Sequence, residues 1–163
     1  MAVARHGRLA AMRSFGETEA GPVTDETMFH IFSATKATMG IAICKLLEEG
    51  KLSLTDKIVD LVPGFADNDG EREDDYKKAD MTLKHVVTFT AGFPQTDPGA
   101  DGRTQEGREA WARGFGLDWP PGEFYQYHPG SGHWLMATIV TRVTGITVVA
   151  VIVEAEGQFN GGA

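Results

Sequence analysis

The chain has 163 residues, 42% of them apolar and 23% charged, which is enough for one domain with a sizeable core and excludes disorder as the default state. Its formal net charge of −8 excludes a phosphate-tracking nucleic-acid protein, because such proteins need clustered Lys and Arg to displace counterions. Cys44 is the sole cysteine, so no intrachain disulfide can form, and its place among apolar helix positions predicts a small buried thiol.

In chain order, residues 2–16 read as two short strands about a tight turn at His6-Gly7, with Gly16 closing the second. The segment "ETEAGPVTDETMF" reads as a polar connection. Thr35 to Glu49 carries apolar residues at Met39, Ala42, Ile43, Leu46 and Leu47 and ends at Gly50, the pattern of a helix with a glycine C-terminal cap. Pro63-Gly64 ends the next periodic segment, and "ADNDGEREDDYKKAD" has so little to bury that it is expected to be a solvated loop. A second helix is predicted over Thr82 to Ala91 with Gly92 as its stop, a short one at "REAWARGF", and a longer one from Gly132 to Val143 with Gly145 ending it. The final "ITVVAVIVEAEG" is strand-like by propensity but has no assigned structure.

No apolar run reaches the roughly 18 to 20 residues needed to span a bilayer. The N-terminus lacks an apolar region with a cleavage site, so a cytoplasmic location is favoured over export. The five histidines have no convincing zinc spacing, and no cofactor or metal is expected. All five are read as ordinary structural residues; tuning of the phenol by His128, beside Tyr127, is the minority alternative.

The chemistry concentrates in "FSATK". With four Ser and seven Lys, chance alone supplies roughly 0.2 Ser-x-x-Lys matches, so the motif alone is weak and reads as a capping serine with a solvated lysine. Yet a serine at the first turn of a helix lies near unpaired N–H groups, and a lysine three residues on shares its face. A desolvated lysine can accept the hydroxyl proton and so create a nucleophile.

The ordered blocks "FSATK", "LLEEGKLSLTDKIVDLVPGF", "MTLKHVVTFTAGFP" and "WPPGEFYQYHPGSGHWLMATIVTRVTG", after the hairpin, resemble the serine β-lactamase and penicillin-binding-protein-like superfamily. The likeness lies on the branch of class C β-lactamases and related carboxylesterases and covers nearly all of residues 2–145. It implies an α/β (α+β) domain of β-lactamase/transpeptidase-like type, with part of an antiparallel sheet at 2–16, a mainly helical region at 33–145 and a divergent tail at 146–163. It also implies that Ser33 is the acylated nucleophile, Lys36 its activating amine and Tyr127 the phenol sharing proton transfer, with the Ser33 N–H as one oxyanion donor. Tyr125 is the rival for that alignment; Tyr127 keeps the family spacing from "PPG" to the next helix.

Pro129 stands where the family has Asn, which weakens a β-lactamase assignment more than an esterase one. Phe89 stands where the family often has His, and nothing after Gly145 matches the Lys-Thr-Gly or His-x-Gly strand motif. The function implied is a serine hydrolase acting on small esters or amides. A β-lactamase or D-alanyl-D-alanine peptidase is the first alternative, and a catalytically silent fragment or binding module the second. Small-molecule substrates are the expected partners, together with self-association through unpaired strands.

Overall fold

A computed structural model describes residues 1–69, 76–148, 150 and 151. They fall into two compact units, Met1–Phe32 and Ser33–Ala163.

In the first unit, β1 (Ala2–Arg5) and β2 (Arg8–Met12) pair antiparallel across His6-Gly7. Both turn residues have positive φ, 51° and 71°, as a two-residue hairpin loop with matching twist requires. The second strand stops at Met12, short of Gly16. The segment expected to be plain connection contains a small ribbon, β3 (Glu17–Thr18) with β4 (Gly21–Pro22). Its signal was local hydroxyl chemistry, not strand propensity: the Thr18 side chain accepts the Ala20 N–H at 3.2 Å, and Gly21 takes a φ of 123°.

In the second unit, a 3₁₀ turn (Phe32–Thr35, beginning on the last residue of the first unit) leads into α1 (Lys36–Glu48). Then come α2 (Ile58–Leu61), α3 (Leu83–Val87), α4 (Gln105–Gly114) and α5 (Ser131–Thr144). The caps at Gly50 and Gly145 are as expected, both left-handed, with φ of 65° and 76°. Helix α5 is the hub, packing on α1, α2, α3 and α4 with Leu135, Ile139 and Val140 fully buried against Ile43, Leu46, Ile58 and Val86. Among the described residues the first unit thus holds two small antiparallel ribbons and the second is helical.

Three sequence expectations need correction. Cys44 is exposed, not buried, because α1 is apolar nearly all round and its periodicity does not single out the core face; Ala42, Ile43 and Leu46 take that face. The helix predicted over Thr82 to Ala91 ends at Val87, since the Thr88 hydroxyl bonds back to the Lys84 carbonyl at 2.8 Å and Phe89 turns left-handed at φ 57°. The charged segment 66–80 is not wholly solvated: Lys78 is 1% exposed and opens a 3₁₀ turn, Lys78–Asp80. In the tail, the Val151 N–H reaches the Thr147 carbonyl at 3.1 Å, as in a helical turn and despite β-branched propensity; residues 149 and 152–163 lie outside the described residues.

The left-handed Phe89 begins a strap that positions the site. The Phe89, Thr90 and Gly92 carbonyls accept the N–H groups of Gln126, Gly122 and Asp118 at 3.0, 2.7 and 2.8 Å. Gly92 has φ of 77°, and a Cβ there would collide with the Trp119 carbonyl oxygen. Gly92→Ala is therefore expected to destabilise the chain by about 2 kcal/mol or more, since backbone strain adds to the clash. Urea unfolding checks this; an unchanged midpoint would mean that the strap moves freely.

Candidate active site

Ser33 lies in the 3₁₀ turn directly before α1, after Phe32, whose φ of 45° is left-handed. The turn and the first residue of α1 put Ser33 and Lys36 on one side of the helix start. The Lys36 ammonium lies 3.3 Å from Ser33 Oγ. From 94 residues along the chain, the strap brings Tyr127, whose hydroxyl is 2.8 Å from Ser33 Oγ in a hydrogen bond that either oxygen can donate. The same ammonium sits 5.5 Å from the centroid of the Tyr127 ring.

The Tyr127 phenol is held below its ordinary value of 10.0, first by the hydrogen bond with Ser33, then by the hydrogen bond and charge of Lys36. This favours the phenolate, the form that takes a proton. Tyr125, the rival, is 69% exposed and has its ring contact with Phe89, at 6.3 Å, with no hydrogen bond to Ser33.

Two further residues belong here that sequence reading did not assign. Phe89 lies 5.3 Å from the Tyr127 ring and 5.9 Å from the His133 ring, so it wedges the phenol against α5. His133 lines one cavity of about 590 Å³ with Ser33, Lys36 and Tyr127, and a second one with Lys36. Burial first, then the Lys36 charge, pushes its imidazole below 6.5. His133 was legible only as a histidine on a helix, because its approach to Lys36 depends on how α1 and α5 pack. His128 does not tune the phenol: it is 1% exposed, between the Trp119 and Phe93 rings at 6.1 and 6.2 Å. Among the described residues no three His, Cys, Asp or Glu side chains are grouped to hold a metal ion, and no helix is long and apolar enough to cross a membrane.

Burial is the leading cause of the lowered pKa at His85, His128 and His133. All three are neutral in folded and unfolded chains well above 6.5; below that, the unfolded chain takes up protons that the folded chain resists. Stability is therefore expected to fall as pH drops from 7.5 to 5.5. The lowered carboxyl groups of Glu49 and Glu109 cannot produce that loss, since their ordinary value is 4.5. Denaturant midpoints across this range check the sign, and a midpoint constant down to pH 5 would refute it.

The family model described as Beta-lactamase matches residues 1–156, and the chain belongs to this family of serine hydrolases. The esterase EstB of Burkholderia gladioli is 32% identical over 94 residues, 56% of this chain and 23% of that protein. Protein flp of Staphylococcus aureus is 28% identical over 154 residues, 87% of this chain and 29% of that protein. Among solved structures, a penicillin-binding-protein homologue from Caulobacter crescentus superposes with a TM-score of 0.75 at 26% identity, covering 94% of this chain and 41% of that one. The chain thus spans less than a third of these two curated relatives and under half of this structural neighbour.

Proposed function

We propose that this chain carries the nucleophile half of an esterase-like serine hydrolase, with Ser33 acylated by small esters or amides. The observation that carries this reading is the convergence of the Tyr127 phenol and the Lys36 ammonium on Ser33 Oγ, at 2.8 and 3.3 Å. Ser33 Oγ attacks the acyl carbon as its proton passes to the Tyr127–Lys36 pair. The C–O bond to the alcohol breaks, the same pair returns the proton to the leaving oxygen, and water then hydrolyses the acyl-enzyme.

The likeness to the esterase EstB and the absence of an amide at Pro129 favour esters over β-lactams. Both edges of the β1–β2 ribbon lack a strand partner among the described residues, and Val3, Leu9 and Met12 are exposed, which favours self-association.

The test is labelling with a fluorophosphonate and, in a parallel arm, a penicillin probe, followed by peptide mapping. A fluorophosphonate adduct on Ser33 supports the reading, and dominant penicillin labelling would transfer it to β-lactam or peptide chemistry. An adduct elsewhere, or none with either probe, would overturn it in favour of a silent binding module.

A further inference from the structure

His133 shares the second unit with Ser33, Lys36 and Tyr127, and lines the cavity at Ser33 together with all three. Its ring is joined to that of Tyr127 through Phe89, at 5.9 and 5.3 Å between centroids. It also lines, with Lys36, a second cavity of about 320 Å³ whose walls include Thr35, Thr38 and Pro129. His133 therefore touches the wedge behind the phenol and faces the lysine from two sides.

Among the described residues no carboxylate lines either cavity. Pro129 has no side-chain donor or acceptor, and the Thr38 hydroxyl donates to the Thr35 carbonyl at 2.6 Å. Besides Tyr127, His133 is the one polar side chain that reaches these walls from outside residues 33–47. The distinction matters for Lys36, because a carboxylate in that place would hold the ammonium protonated and compete with Ser33 for it. A neutral imidazole does neither.

The setting keeps the imidazole neutral. Its Nδ1 is buried without a hydrogen-bond partner, so an imidazolium would bury an N–H there with no acceptor. Burial and the Lys36 charge act in the same direction. The titratable groups that line these cavities with it are Lys36 and Cys44 from α1 and Tyr127 from the strap. On the other helices packed against α5, Asp60 and Lys84 are exposed, His85 accepts the Thr82 N–H at 3.2 Å, and Glu109 is paired with Arg142 at 2.6 Å.

We propose that His133 is a positioning residue for acylation at Ser33: it is the uncharged polar neighbour of Lys36 that leaves the Tyr127–Lys36 pair free to take the serine proton. The inference rests on the esterase-like reading of Ser33.

The test compares His133→Gln with His133→Glu, which differ in charge and hardly in shape. The full chain carrying each is treated with a fluorophosphonate between about pH 6 and 10, with Ser33 occupancy followed by intact mass. In each reaction the Oγ–P bond forms, the P–F bond breaks and fluoride leaves, while the hydroxyl proton passes to the Tyr127–Lys36 pair. His133→Gln should keep the pH midpoint of the unsubstituted chain. His133→Glu should raise it by about 1–2 pH units, which slows labelling about 10- to 100-fold below the midpoint. A side chain that only packs would change the plateau rate or the urea midpoint and leave the pH midpoint in place.

A second readout leaves His133 intact and does not depend on acylation or on the folding of His133→Glu. Coupling between two sites is reciprocal, so Lys36→Met should raise the pH at which the His133 imidazole titrates by about half a unit or more. NMR follows that titration, and the spectrum of His133→Gln assigns the resonance. Coincident pH midpoints for the Gln and Glu variants, or a His133 titration unmoved by Lys36→Met, would overturn the proposal and leave the esterase-like reading intact. Absence of Ser33 labelling from every form, the unsubstituted chain included, would instead remove that reading and with it the role of His133 in acylation.

Discussion

Replacing Ser33 with alanine is expected to lower covalent labelling and any ester turnover by at least about 10³-fold, the scale on which loss of a nucleophile acts. The other three serines cannot substitute, each for a different reason. Ser131 is buried, its hydroxyl 2.8 Å from the Pro94 and Thr96 carbonyls, where it anchors the start of α5. Ser53 shares a 2.9 Å hydrogen bond with Thr55, and Ser14 donates to the Asp25 carboxylate at 2.5 Å. Neither has the lysine and phenol that converge on Ser33.

Tyr127→Phe keeps the ring against Phe89 and removes only the hydroxyl. It is therefore expected to lower the rate by about 10²- to 10⁴-fold without a matching loss of stability. If Ser33→Ala still takes up probe at an undiminished rate, the nucleophile lies elsewhere and the convergence at Ser33 is structural.

The parts of this site differ in how far sequence alone could reach them. Ser33 and Lys36 are near neighbours in sequence, so helical geometry relates them directly and the motif could be read at once. Tyr127 is 94 residues from Ser33, and no periodicity connects them; it was reached only through resemblance to a family. His133 escaped both routes, and the resemblance marked Phe89 only as a departure from the family, with no role at the site. Phe89 adopts φ 57°, which bulky side chains rarely do, so propensity favours continuing the helix through it. The strap from 89–92 to 118–126 enforces that conformation, and it is a long-range effect. The same limitation explains Cys44. A helix apolar nearly all round has no single face that its own sequence marks as core, and the choice is made by what packs on it.

Lys78 was hidden by composition, because a lysine among acidic residues reads as solvated, and its replacement should have the largest effect on stability. Its ammonium lies beside the Phe65 and Phe115 rings, 5.0 and 5.1 Å from their centroids, while the rings meet edge to face at 6.2 Å. It donates to the Ala112 and Arg113 carbonyls at 3.3 and 2.9 Å, at the end of α4. Helix ends leave carbonyls without intrahelical partners, and a cation there is favoured by the helix dipole. Lys78→Ala removes those donors and the buried stem that packs beside the two rings, so a loss of about 2–5 kcal/mol is expected. Lys78→Met retains most of the apolar stem and loses only the polar interactions, for an expected cost of about 1–3 kcal/mol.

The ordering of the two variants separates packing from capping, and urea midpoints give both values. Because α4 packs on α5, which follows Tyr127 in the chain, labelling of Ser33 should persist in Lys78→Ala at low temperature and fail at the lower temperature where the variant unfolds. A change below about 1 kcal/mol in Lys78→Ala would mean that water replaces the ammonium at the α4 carbonyls without cost, and that neighbouring side chains fill the space the lysine leaves.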